Sequence, residues 1–211
     1  MAYDLEEQEQ IDAIKAWWSD YGNIVVLAVI ACLLTVAGFQ GWRYYRAQQG
    51  EKAATLFTQL DQAERANEPK KVRDIAAQLI DNYGSTHYAG MAALSAAKAS
   101  FETGELEDAR KNLQWAMDKA REEEMRDVAR LRLAGLLLDD KKYDEALKLL
   151  SAKPVDAYAA LYADLRGDVL TAQGKTAEAR AAYQVALDKS DAGSQYRRLI
   201  ELKLDALGEA K

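Results

Sequence analysis

Three stretches of this chain can be laid over one another: AALSAAKASFETGELEDARKNLQWAM (92–117), VARLRLAGLLLDDKKYDEALKLLS (128–151) and LYADLRGDVLTAQGKTAEARAAYQVAL (161–187). Each reads as an apolar helical pattern, a short polar break and a second helical pattern. The alignment superposes Ala109, Ala146 and Ala179, which lie 37 and 33 residues apart. A weaker copy, VRDIAAQLI (72–80), places Ala76 another 33 residues upstream. The whole chain holds only 2 prolines and 12 glycines among 211 residues. Alanine, leucine, glutamate, lysine and arginine, all strong helix formers, dominate the rest. The expected fold is all-α, with almost no strand.

The superposed residues have mechanical roles. Ala97, Ala134 and Gly167 sit midway along the first helix of each unit, and Ala109, Ala146 and Ala179 sit early in the second. Small side chains there let two helices cross closely. Gly104 and Gly174 fall where a helix ends on a left-handed residue, and Lys141 replaces that glycine in the middle unit. Ala116 and Ala186 are placed to pack on the following unit. A helix-turn-helix unit with a period near 34 is the signature of tetratricopeptide repeats, so residues 50–211 read as a tetratricopeptide-like α-solenoid. Stacked pairs need capping helices at their ends. The stretch Gln195 to Leu207 is the expected C-terminal cap, with Leu199, Leu202 and Leu207 covering the last pair. A helix beginning near Glu51 is the expected cap at the other end, continuing from the segment before it.

That preceding segment is different in kind. Ile24 to Phe39 reads IVVLAVIACLLTVAGF, and the 21 residues from Gly22 to Trp42 carry no charge. At 1.5 Å per residue they span roughly 32 Å, about the thickness of a bilayer core. Trp17, Trp18 and Tyr21 flank one end and Trp42, Tyr44 and Tyr45 the other, the double aromatic belt of a membrane span. Residues 22–45 are therefore read as a single transmembrane helix in contact with the lipid bilayer. The preceding tail is acidic, which does not fit a cleaved signal peptide. Within the span, Ala28 and Cys32, and Ala37 and Gly41, are small residues four apart, which allow another membrane helix to approach. Residues 1–21 form a short acidic tail with one base against six acids. Ile11, Ile14, Trp18 and Tyr21 give it one apolar helical face. Only Lys15 precedes the span, while Arg43, Arg46 and Lys52 follow it. By the positive-inside rule this small bias places the C-terminal side in the cytoplasm.

The residues offer little to catalysis. No nucleophile–base pairing is visible, and the single histidine, His87, lies in a turn-like stretch. No paired Cys and His spacing fits zinc, and no glycine loop fits a phosphate. No enzyme activity, cofactor or small-molecule substrate is expected. Residues 50–211 hold 25 bases against 28 acids without a basic stripe, which argues against nucleic acid. What repeat arrays do is bind proteins on the concave surface lined by the first helix of each unit. By repeat position that surface comprises Leu94, Lys98, Phe101, Leu131, Leu138, Asp164 and Asp168, with some of the leucines and Phe101 equally placed for the core. Lys98 stands opposite two acids there, so an acidic-tail ligand is disfavoured at this face.

The tail EQIDAIKAWWSDYG, the post-span GWRYYRAQQ and a repeat domain of about 160 residues together resemble the YfgM-like family, the ancillary subunits of the SecYEG translocon. The resemblance covers the whole chain. It implies a bacterial inner-membrane protein with a cytoplasmic N-terminus and a periplasmic repeat domain, opposite to the direction of the local charge bias. It implies SecYEG and a PpiD-like membrane-anchored chaperone as partners, and a role in passing translocated proteins to periplasmic chaperones. The alternative on the residues alone is a membrane-anchored scaffold for a different envelope or cytoplasmic complex.

Overall fold

A computed structural model describes residues 2–208, with side chains from residue 9 onward, so the first part of the acidic tail lies outside the described side chains. Among the described residues nine α-helices follow one another: α1 (Ala2–Arg65), α2 (Pro69–Tyr83), α3 (His87–Glu102), α4 (Leu106–Lys119), α5 (Glu123–Asp139), α6 (Tyr143–Leu149), α7 (Ala159–Ala172), α8 (Thr176–Lys189) and α9 (Gln195–Ala206). One 3₁₀ turn, Asp156–Tyr158, precedes α7, and the described residues contain no strand. The contacts divide the chain into two units, Met1–Gln48 and Gln49–Lys211.

The second unit is a stack of helical hairpins with one turn used repeatedly. Asn67, Gly104, Lys141 and Gly174 all have positive φ, at 54°, 80°, 60° and 75°. In each turn the amide of the left-handed residue donates three residues back, as from Gly104 to the carbonyl of Phe101 (3.0 Å). The next amide donates five residues back, as from Glu105 to the carbonyl of Ser100 (2.8 Å). The same pair of bonds recurs at Asn67–Glu68, Lys141–Lys142 and Gly174–Lys175. This is the Schellman closure of a helix C-terminus, and the residue completing it is also the N-cap of the following helix. The turn therefore fixes where one helix stops and the next starts within a single residue.

The end of α1 and α2 form such a hairpin. Ala53, Leu60 and Ala63 pack with Val72, Ile75, Ala76 and Leu79, and with Ala92, Ala96 and Ala99 of α3. The expected N-terminal cap near Glu51 is thus the first helix of a full repeat-like pair. The weaker copy around Ala76 is that pair's second helix, and Asn67 does the work of a glycine.

Small residues sit at the helix crossings, as their repeat positions require. Ala97, Ala109, Ala116, Ala134 and Ala146 belong to the central core, and Ala179 and Ala186 to the C-terminal one. Fully buried side chains such as Leu60, Leu79 and Ile200 contribute about 2 kcal/mol each by leaving water.

Two expectations change. In α9, Ile200, Tyr196, Leu204 and Leu207 cover the last hairpin, whereas Leu199 and Leu202 are 48% and 67% exposed. The inward stripe runs 196, 200, 204, 207, the spacing of one helix face, and 199 and 202 fall off it. The second helix of the middle repeat, α6, has 7 residues where α4 and α8 have 14. Pro154 cannot donate an amide and restricts Lys153 before it. The chain leaves the helix at Leu150, and the Ser151 hydroxyl donates to the carbonyl of Lys148 (2.7 Å).

In the first unit, α1 is the one described helix long and apolar enough to cross a membrane. Its apolar residues from Ile24 to Phe39 are mostly exposed, as a lipid-facing surface would be. At one end Trp17 lies against Tyr21, with ring centroids 5.9 Å apart. At the other, Phe39 meets Trp42 and the Arg46 guanidinium sits 4.3 Å from the Trp42 ring centroid.

Candidate functional site

The first helices of successive hairpins bring part of the expected concave set into one groove. Lys98 and Phe101 of α3 line it with Ala97, facing Arg132, Gly135, Leu136 and Asp139 of α5, and Ala109 and Leu113 of α4 form its floor. The cavity is about 300 Å³. Phe101 is 52% exposed although aromatic, so its ring is available to a partner. The groove is open around Gly135, where a Cβ would meet nothing within 4 Å. Lys98 reaches towards Glu102 at 3.9 Å, and Arg132 donates a long hydrogen bond to the carbonyl of Leu94 (3.5 Å). The wall thus carries two cations, one acid (Asp139) and an apolar ring around an apolar floor.

The remaining predicted residues lie elsewhere. Leu94, Leu131 and Leu138 are partly buried and pack on the central core. Asp164 is 8% exposed, and Lys203 of the capping helix donates to both its oxygens (2.9 and 3.0 Å) and to Asp168 (2.8 Å). The Tyr196 and Tyr183 hydroxyls donate to Asp164 (3.1 Å) and Asp168 (2.8 Å). Burial, helped by the neighbouring carboxylates, pushes both phenols upward. Burial alone would push the Lys203 ammonium down, but its hydrogen bonds to Asp168 and Asp164 outweigh this and raise it. The two acids hold the C-terminal cap onto α7. A second buried acid, Asp127 at 4% exposure, accepts from Arg130 (2.7 Å), Tyr162 (2.8 Å) and the amide of Val155 (2.8 Å). Burial foremost pushes the Tyr162 phenol up to about 12.

His87 is the first residue of α3 and pairs with Glu122 at 2.9 Å. Among the described residues no group of three His, Cys, Asp or Glu side chains could hold a metal ion. In the first unit, Ala28, Cys32, Ala37 and Gly41 are all exposed on α1. Nine residues separate Ala28 from Ala37, a turn of roughly 180° at 3.6 residues per turn. The two small-residue pairs therefore lie on opposite faces of the helix and open to different neighbours.

A family model described as a tetratricopeptide repeat-like domain matches residues 15–209. The ancillary SecYEG translocon subunit of Neisseria gonorrhoeae is 31% identical over 209 residues, covering 98% of this chain and 100% of the relative. The protein of the same name from Escherichia coli is 30% identical over 202 residues, covering 95% and 96%. The chain belongs to this family of ancillary SecYEG translocon subunits. The Haemophilus influenzae member, 30% identical, covers 98% and 100%. A solved structure of MamA, residues 41 to the end, from Desulfovibrio magneticus RS-1 has a TM-score of 0.55 over 75% of this chain and 90% of its own. At 17% identity it shows a shared fold and no more.

For this family member, the groove residues that sequence reading did not single out are Leu113, Arg132, Gly135, Leu136 and Asp139. The available signal was repeat position: Gly135 lies one residue beyond Ala134, as Lys98 lies one beyond Ala97.

Proposed function

We propose that this chain is a non-enzymatic, membrane-anchored accessory protein of the SecYEG translocon that helps pass translocated proteins to periplasmic chaperones. The observation that carries the reading is the full-length match to relatives named for that translocon, at 30–32% identity. It spans the apolar helix and the repeats together. In this reading α1 crosses the inner membrane with the N-terminus in the cytoplasm and the repeat unit in the periplasm. The charge bias against that direction is small, and long domains translocate largely regardless of it. The opposed pairs Ala28–Cys32 and Ala37–Gly41 let α1 pack against two membrane helices, one from the translocon and one from a PpiD-like membrane-anchored chaperone. The repeat unit binds by its concave groove, with Phe101 as apolar anchor and Lys98 beside it. Leu94, Leu131 and Leu138 support the wall, and Asp164 and Asp168 fix the cap that ends it.

Two measurements test this. Tagged chain extracted in mild detergent should co-purify SecYEG subunits, and protease added to spheroplasts should digest the repeat unit. Recovery of no translocon subunit, or full protection of the repeat unit in spheroplasts, would sink the proposal.

A further inference from the structure

The short α6 leaves a gap in the outer layer of the stack. Counted from the left-handed turn residue, α4 and α8 each run to the fifteenth position, but α6 stops at the eighth. Seven residues are missing, two helical turns or roughly 10 Å of helix. Alongside the shortened helix runs a groove of about 920 Å³ between α4 and α6, with α5 beneath it. Trp115, Met117, Leu133, Leu137 and Leu149 give it an apolar lining. These side chains are buried or half-buried, and a full-length α6 would extend over this side of the stack.

The loop that replaces the helix touches the groove at Ala152 and is anchored to α5 beyond it. The Val155 amide donates to the buried carboxylate of Asp127, which also holds Arg130 and Tyr162. A groove fixed in this way needs little reorganisation to receive a ligand.

The charge at its edge selects the ligand. Arg110 is paired with Glu107 and Asp140, Lys111 with Asp108 and Arg130 with Asp127. Lys119, Lys142 and Lys148 also line the groove, are exposed, and make no ion pair among the described residues. Lys142 is the N-cap of α6, where the helix dipole disfavours a cation. The acids Asp118 and Glu145 line it too, so the lining holds six bases against three acids in a repeat region whose overall charge is slightly negative.

We infer that this notch is a docking site for a short, acidic, amphipathic helix of a partner protein, which completes the outer layer in place of the missing turns. Its apolar face covers Trp115, Met117 and Leu149, and its carboxylates meet Lys119, Lys142 and Lys148. This is helix-in-groove recognition, on the side of the stack away from the concave groove. The inference does not depend on the translocon reading.

The test uses the full chain in detergent micelles and a fluorescein-labelled amphipathic peptide of about 14 residues, four helical turns. The peptide carries leucines on one face and glutamates on the other; a second carries lysines in place of the glutamates. Fluorescence anisotropy at low salt should show binding of the acidic peptide only. Exchanging Lys119, Lys142 and Lys148 together for glutamate should weaken it by about tenfold or more and let the basic peptide bind instead, since charge pairing sets partner choice. That exchange of preference also shows that the variant is folded. Phe101→Ala should leave acidic-peptide binding unchanged. The inference is overturned if the acidic peptide does not bind or both peptides bind alike. It is equally overturned if the triple variant keeps its preference, or if Phe101→Ala removes the binding.

Discussion

Replacing Gly167 with alanine places one methyl group where α7 crosses α8. A Cβ built there would lie 2.8 Å from Cζ of the Tyr183 ring and closer still to Cε1 and Cδ1. The ring has little freedom to retreat. It is 2% exposed, its hydroxyl donates to Asp168 (2.8 Å), and the same hydroxyl lies 3.2 Å from that of Thr171. Forcing extra volume into such a contact costs about 1–3 kcal/mol. Pulling the phenol from a charged acceptor costs about 1.5–3 kcal/mol more. Alanine recovers about 1 kcal/mol of helix propensity over glycine. The net loss is about 3 kcal/mol, which lowers the melting temperature by roughly 6–12 °C for a unit of this size. Gly135→Ala is the internal control, since a Cβ there meets nothing. It should stabilise α5 by up to about 1 kcal/mol. Helical circular dichroism followed during heating, on the full chain in detergent, reads both. If Gly167→Ala melts at or above Gly135→Ala, the close crossing at Gly167 is not what the packing requires.

Removing one partner of the capping cluster, Lys203→Ala, leaves Asp164 and Asp168 facing each other and should cost about 3 kcal/mol, read by urea denaturation. At the turns, Lys141→Gly relieves a left-handed non-glycine residue and should stabilise by about 1 kcal/mol, while Gly104→Ala should destabilise by about 1–2 kcal/mol. Alkaline pH should loosen the C-terminal half. The phenol of Tyr162 is raised from 10.0 to about 12 and the Lys203 ammonium lies above its ordinary 10.5. Groups raised in the folded state contribute fully below their unfolded values and lose that contribution as pH rises through the folded ones. Stability measured by denaturant titration should therefore be level below about pH 10 and fall above it; a fall beginning near pH 8 would contradict the assignment.

Much of the stack was legible because its constraints are local. A small residue at a helix crossing and a left-handed residue at a turn can each be recognised in a one-dimensional alignment, and Ala97, Ala109, Gly104 and Gly174 carried that information. The first hairpin was obscured because Asn67 occupies its left-handed position. Asparagine tolerates that conformation better than most residues but does not announce it. The stop of α6 was written in Pro154, four residues beyond the last helical carbonyls. Its consequence, an open groove on another helix pair, is visible only once α4 and α5 are in place. The concave set divided for a similar reason. Phe101 and Lys98 face a groove, but Asp164 and Asp168 are held by Lys203, 39 and 35 residues further along, and nothing in the local pattern of α7 declares that pairing. On α1 the spacing of the small residues was legible, and helical geometry alone puts the two pairs on opposite faces.

The proposed function requires α1 to meet the translocon within the membrane. A photoreactive amino acid placed in turn at Ala28, Cys32, Ala37 and Gly41 of the full chain, in native inner membranes, tests it most directly. The expected result is a crosslinked adduct containing a SecYEG subunit from at least one of the two faces, and a different adduct from the other. Adducts lacking any translocon subunit from all four positions would contradict it.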